Sequence, residues 1–224
     1  MEILLDTANI EQIKKYMQLY NITGVTTNPT IISREQEKDF WKLTTTIREI
    51  VGDKQLHVQV TSDNWEEMLE EAEAIQIRLG KDTYIKIPAV EQGICAMKHI
   101  KEDGGRVTAT AIYTPQQAML AASVGADYVA PYYNRMNNLN VDSKKAIGDI
   151  VNLFRQHNKH TKILGASFKN TQQIMDVLMV GGEAVTVSGD LLTTMVKNAV
   201  IDFAVDGFIK DWKSVYGDKK LYEL

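Results

Sequence analysis

The stretch Thr83-Tyr84-Ile85-Lys86-Ile87-Pro88 sets a single lysine among apolar residues and ends in a proline. With the two-residue period of a strand, Ile85 and Ile87 fall on one face and Tyr84 and Lys86 on the other. A lysine inside such a run is unusual, because an ammonium without a partner is costly to bury. Losing the proton relieves that cost. Burial lowers a lysine's pKa, and the neutral amine is a nucleophile. Lys86 is therefore a candidate Schiff-base lysine. The alternative is a lysine at an exposed strand end, with its ammonium reaching water.

Outward from this strand the chain repeats one kind of unit. Before it lie strands at Glu2–Asp6, Ile22–Asn28 and Leu56–Thr61. Helices are expected at Asn9–Tyr20, from about Thr30 to Ile50, and from Trp65, where Met68, Leu69, Ala72, Ile75 and Leu79 give the clearest 3.6-residue period. The glutamates of that helix, Glu66, Glu67, Glu70, Glu71 and Glu73, read as a solvated face. After Lys86, a helix marked by Val90, Ile94, Met97 and Ile100 leads to strand five, Val107–Ile112. Pro115 suits the first turn of the next helix. Strand six is Ala126–Tyr132, followed by a polar loop, Asn134–Asn140, and a helix over Asp142–Gln156. Strand seven, Lys162–Ser167, and its helix, Thr171–Met179, precede strand eight, Glu183–Val187. Gly189-Asp190 opens a short helix, and a last long helix spans about 198–216, with an apolar stripe of Val200, Phe203, Phe208, Trp212 and Val215 expected to serve oligomer contacts.

Strands alternating with helices imply parallel strands joined by right-handed crossovers, and eight units close into a (β/α)8 TIM barrel. The expectation is one α/β domain over residues 1–224 with an additional C-terminal helix. An open doubly wound sheet would want a Gly-rich first turn such as G-x-G-x-x-G, which the chain lacks.

Composition sets the outer limits. The 224 residues are 44% hydrophobic and 24% charged, ordinary for a globular protein, and the net charge of -4 does not favour nucleic acid as a partner. The lone cysteine, Cys95, excludes an internal disulfide and suggests a reducing compartment; with no histidine or acid at motif spacing, it reads as a small, partly buried apolar residue. Glu2 and Asp6 argue against a signal peptide, and no apolar run reaches membrane-spanning length. A cytoplasmic protein without membrane contact is expected. His57, His99, His157 and His160 lie on different elements, so no metal site is expected, and the His157/His160 pair reads as exposed.

Barrel active sites lie at the C-terminal strand ends. There strand one carries Asp6, strand two Thr26 and Asn28, strand three Gln59, strand four Lys86, strand five Thr110, strand six Tyr132 with Arg135 beyond it, and strand seven Ser167 with Lys169 beyond it. Singly, each has a structural explanation, such as an N-cap or a core aromatic. Seven consecutive strands sending a polar group to one rim is the pattern of an enzyme site centred on Lys86. Arg135, Ser167 and Lys169 place two cations and a hydroxyl where a phosphate dianion would be held.

The segments LLDTAN (4–9), GVTTNPT (24–30), YIKIP (84–88), APYYNR (130–135) and ASFKN (166–170) resemble those of the transaldolase family, in its small bacterial branch of fructose-6-phosphate aldolases and small transaldolases. The resemblance covers nearly the whole chain. It implies a barrel that needs no cofactor, acts on sugar phosphates and forms a pentameric or decameric ring. It also implies Lys86 as the imine-forming residue and Asp6 as the proton shuttle. Thr26 and Asn28 would bind substrate hydroxyls, and Arg135, Ser167 and Lys169 the phosphate. Transaldolases of the family usually carry glutamate on strand three and often phenylalanine on strand six. Gln59 and Tyr132 are instead similar to the aldolases, in which Gln, Thr and Tyr side chains hold a water for proton transfer, here Gln59, Thr110 and Tyr132. Aldolase is the first expectation, small transaldolase the second, and a non-catalytic sugar-phosphate-binding barrel the alternative from another class.

Overall fold

The short Val- and Ile-rich runs pair as parallel strands, and the amphipathic stretches between them form the crossovers. The computed structural model describes residues 1–157 and 159–224. They divide into two units, Met1–Gly189 and Asp190–Leu224.

In the first unit eight strands close in chain order: β1 (Glu2–Asp6), β2 (Gly24–Thr26), β3 (Gln55–Gln59), β4 (Tyr84–Pro88), β5 (Arg106–Ile112), β6 (Tyr128–Pro131), β7 (Lys162–Gly165) and β8 (Ala184–Val187). β8 pairs back onto β1, so the barrel has no free sheet edge. The connecting helices are α1 (Ile10–Leu19), α2 (Pro29–Arg34), α3 (Phe40–Val51), α4 (Trp65–Leu79), α5 (Glu91–Glu102), α6 (Pro115–Ser123), α7 (Tyr133–Asn138), α8 (Ser143–Gln156) and α9 (Thr171–Met179). The barrel inferred from the sequence is the observed fold.

Polar caps fix the helix starts. Asn9, Asn28, Asp39, Asn64, Thr114, Asp142 and Asn170 each accept a hydrogen bond from a backbone N–H in the first turn of their helix. Pro115 occupies the first turn of α6 as expected. Gly93 lets α5 lie close over the end of the Lys86 strand, since a Cβ there would stand 1.9 Å from the Pro88 carbonyl oxygen.

Three local expectations are corrected. The single helix expected over Thr30–Ile50 is two, α2 and α3, because Gln36 takes a left-handed φ of 56° and Asp39 starts a new helix. The polar loop expected over Asn134–Asn140 is mostly α7, a helix anchored from outside itself: the Asn134 N–H donates to the Ser167 carbonyl at 3.1 Å. Ser143 Oγ donates to the Tyr133 carbonyl at 2.7 Å, and the Tyr133 hydroxyl donates to Asp176 at 2.8 Å. Glu71 leaves the solvated face of α4. It accepts from the backbone and hydroxyls of Thr61 and Ser62 at 2.6–3.2 Å, clamping the loop that follows β3.

The barrel interior is layered. At its lower end Leu4, Tyr128, Leu164 and Ala184 pack together, with Tyr84 against them. Beneath this layer Glu2 accepts hydrogen bonds from Tyr128 and Gln55 and pairs with Lys162. Burial opposes the Glu2 charge, but these donors outweigh it and hold the carboxyl below its usual range. Fully buried His57 stacks on Tyr84 at 4.4 Å and contacts Thr108 and Gln55. The Gln55 amide nitrogen already donates to Glu2, so its oxygen accepts, and the His57 proton resides on Nε2. Burial and nearby Lys86 press the imidazole well below its normal pKa, and it stays neutral. The lower interior is thus sealed, and the open chemistry lies at the other end.

The second unit contains α10 from Asp190 onward (Gly189–Val196) and α11 (Ala199–Tyr216), followed by a 3-10 turn at Leu221–Glu223. Asn198 caps α11. Val200, Phe203, Phe208 and Val215 of the expected apolar stripe are 70–81% exposed. Trp212 departs from that stripe: its indole N–H donates to the Lys219 carbonyl at 2.8 Å, and its ring packs 4.5 Å from Tyr216. No helix among the described residues is long and apolar enough to cross a membrane.

Candidate active site

Register decides which side chains meet. In neighbouring parallel strands, paired residues point the same way. Asp6 pairs with Thr26, Gln59 with Lys86, Lys86 with Thr108, and Pro88 with Thr110. The pleat that sends Ile85 and Ile87 to the helices therefore sends Lys86 into the barrel, at 4% exposure. Its Nζ donates to the Thr27 carbonyl at 2.7 Å. That neutral acceptor holds the amine without supplying the countercharge that would keep it protonated. Burial lowers the Lys86 pKa, with Asp6 opposing in part. The exposed-strand-end alternative is removed.

Asp6 responds to the same surroundings in the opposite sense. Burial raises its pKa, against the pull of Lys86, a hydrogen bond from Thr26, and the charges of Arg34 and Arg135. Burial thus moves the acid and the amine toward each other in proton affinity. Thr26 has no exposed surface; its hydroxyl donates to Asp6 Oδ1 at 2.8 Å and lies 2.6 Å from the hydroxyl of Thr186. Its observed contact is with the carboxylate. Asn28, partly exposed, uses Oδ1 to cap α2 at Ile31 N, which leaves its amide N–H groups as the donors it can offer.

Across the rim, Thr110 and the hydroxyl of Tyr132 are 2.8 Å apart, and burial raises the Tyr132 pKa, so the phenol keeps its proton. A β-bulge accompanies this contact. β5 carries one extra residue opposite β6 between Ala109 and Ile112, and Ala111 takes a φ of 54°. Gln59 Oε1 is buried and makes no hydrogen bond within the protein. An acceptor in that position costs about 1–3 kcal/mol unless a water or substrate satisfies it.

Arg135 and Lys169 are exposed and Ser167 half-exposed. Arg135 lies 4.8 Å over the Tyr132 ring and donates to the Tyr113 hydroxyl at 3.5 Å. Ser167 takes a φ of 61°, and its carbonyl holds the start of α7. The fold thus sets the three residues on adjoining segments, while their side chains share no bond with one another. Sequence reasoning missed two contributors. Tyr113 lies edge-on to Tyr132 at 5.8 Å. Thr186 is the polar residue that strand eight contributes, signalled by a hydroxyl between Val185 and Val187. Cys95, half-buried as expected, does have a nearby histidine: His99, one turn on, at 3.9 Å. His157 and His160 are exposed.

A family model described as transaldolase/fructose-6-phosphate aldolase matches residues 3–219. The chain belongs to the transaldolase/fructose-6-phosphate aldolase family. One relative, a probable fructose-6-phosphate aldolase of Streptococcus pneumoniae, is 41% identical over 222 residues, covering 99% of this chain and all of the relative. A probable transaldolase of Dictyoglomus turgidum is 34% identical over 215 residues, covering 96% and 99%. Both relatives thus align with this family member end to end. In fold it is similar to a solved structure titled "Native KDPGal structure", with a TM-score of 0.59, 11% identity and coverage of 84% of this chain and 82% of that one.

Proposed function

We propose that this family member is a class I aldolase that cleaves or forms fructose 6-phosphate through an imine on Lys86. The observation that carries the reading is a buried lysine with a lowered pKa, held by a neutral carbonyl, in the same barrel rim as a partly buried carboxyl of raised pKa. The neutral amine attacks the C2 ketone, and loss of water leaves an iminium that draws electrons from the C3–C4 bond. Asp6, directly or through a water, takes the proton of the C4 hydroxyl. The bond breaks, glyceraldehyde 3-phosphate departs, and a three-carbon enamine stays on Lys86. A water held by Gln59, Thr110 and Tyr132 protonates it; hydrolysis then releases dihydroxyacetone. Asn28 donates to substrate hydroxyls, and Thr26 orients Asp6. Sugar phosphates are kept inside cells by their charge, and together with the free Cys95 they support a cytoplasmic setting.

The second reading is a small transaldolase, in which the enamine waits for an aldehyde phosphate. It is favoured by the family's joint description and by the Dictyoglomus relative. Product analysis from fructose 6-phosphate, with and without erythrose 4-phosphate, separates the two. Free dihydroxyacetone supports the aldolase, sedoheptulose 7-phosphate alone supports the transaldolase, and no covalent adduct under borohydride sinks both.

Arg135, Ser167 and Lys169 bind the phosphate in this reading. Arg135→Ala should weaken phosphorylated substrates by about 1.5–3 kcal/mol and leave unphosphorylated ones nearly unchanged. Steady-state kinetics on both classes checks this. Equal losses would show that Arg135 acts through the Tyr132 ring it covers.

The reading extends to a homo-oligomer assembled through α11, whose Phe203 and Phe208 stand 81% and 70% exposed. Truncation before Asp206 should reduce the mass measured by light scattering. An unchanged mass removes the helix from assembly.

A further inference from the structure

Thr186 is buried at 3% exposure, on a strand that the proposed chemistry does not use. Its hydroxyl lies 2.6 Å from that of Thr26, which lies 2.8 Å from Asp6 Oδ1. A hydroxyl has one hydrogen. Because Thr26 gives its hydrogen to the carboxylate, it accepts at the other contact, and Thr186 is the donor. The three groups form a directed chain, Thr186 to Thr26 to Asp6, joining β8, β2 and β1 across the closing seam of the barrel.

We propose that Thr186 is a positioning residue that tunes the proton affinity of Asp6 through Thr26. The inference rests on the catalytic reading of Asp6 given above. A donor behind Thr26 polarises its O–H and strengthens the charge-assisted bond to the carboxylate, more so where water is excluded. The ionised carboxylate gains more than the neutral acid, so the chain counters the burial that raises the Asp6 pKa. The other groups acting on Asp6 are Lys86 from β4, Arg34 from α2 and Arg135 from α7. Tyr132, beyond β6, senses the Asp6 charge in turn. None of these makes a hydrogen bond to Thr26 or Thr186, so changing Thr186 leaves them in place.

The test is titration of the Asp6 carboxyl by carbon-13 NMR, together with the pH profile of kcat/KM. Thr186→Val should raise the Asp6 pKa by about 0.5–1 unit and move upward the step of the profile that Asp6 controls. Thr186→Ser should restore both. In a Thr26→Val background the further change Thr186→Val should shift Asp6 no more, since the chain is already cut. An unchanged Asp6 titration in Thr186→Val overturns the inference, as does an equal shift in both backgrounds. Because the titration needs no turnover, a shifted Asp6 in a protein that never forms an imine supports the inference and sinks the catalytic reading. An unshifted Asp6 in an active enzyme does the reverse.

Discussion

Lys86→Met will abolish cleavage of fructose 6-phosphate, by about 10⁴-fold or more, and leave the barrel folded. Methionine keeps most of the lysine's length and apolar stem but has no amine, so no imine can form. The fold should tolerate the change, because it removes a group whose charged form is costly to bury. Borohydride reduction in the presence of substrate gives the direct readout. Wild type should gain the mass of a reduced adduct at Lys86 and the variant none. The pH dependence has a definite sign. Burial lowers the Lys86 pKa, so the nucleophilic form is populated at lower pH than for a free lysine, and imine formation should rise with a midpoint below the ordinary value of about 10.4. Appreciable cleavage by the Met variant, or an ordinary lysine midpoint, would remove Lys86 from the centre of the site.

Tyr132→Phe should turn the enzyme from aldolase toward transaldolase. The phenol touches Thr110 at 2.8 Å, and its raised pKa keeps it a proton donor. Losing that hydroxyl would leave the proposed water at Gln59 and Thr110 with one partner fewer, and enamine protonation should slow by about 10²–10⁴-fold. In the proposed mechanism carbon–carbon cleavage depends on Lys86 and Asp6, and it should suffer much less. The enamine then survives long enough to meet an aldehyde phosphate. Gln59→Glu should push the same way. The measurement is the ratio of dihydroxyacetone released to sedoheptulose 7-phosphate formed, with erythrose 4-phosphate present. An unchanged ratio in Tyr132→Phe, or a wild type that makes only the transfer product, transfers the function to the transaldolase reading.

Most of the fold was legible because its signals are local. The two-residue period of Tyr84–Pro88 and the helical period from Trp65 to Leu79 each lie within a few turns of chain, and their alternation leaves few topologies open. The same period set Lys86 on the face opposite Ile85 and Ile87. What failed was what depends on distant partners. Residues Tyr133–Asn138 have no apolar period, and α7 forms because residues beyond it hold its first backbone groups and side chains. Glu71 looked like its neighbours until the Thr61–Ser62 loop folded onto it.

The sequence by itself determined the order of elements, the closed barrel and the residue types at its rim, since these follow from periodicity and strand alternation. Only the tertiary structure decided what those residues do to one another. Thr26 and Thr186 are 160 positions apart and meet because the last strand closes onto the first. The one-residue bulge at Ala111 accompanies the Thr110–Tyr132 contact. The opposite pKa shifts of Lys86 and Asp6 arise from the water that the closed barrel excludes, and burial is a property of the whole packed molecule, which no local stretch carries.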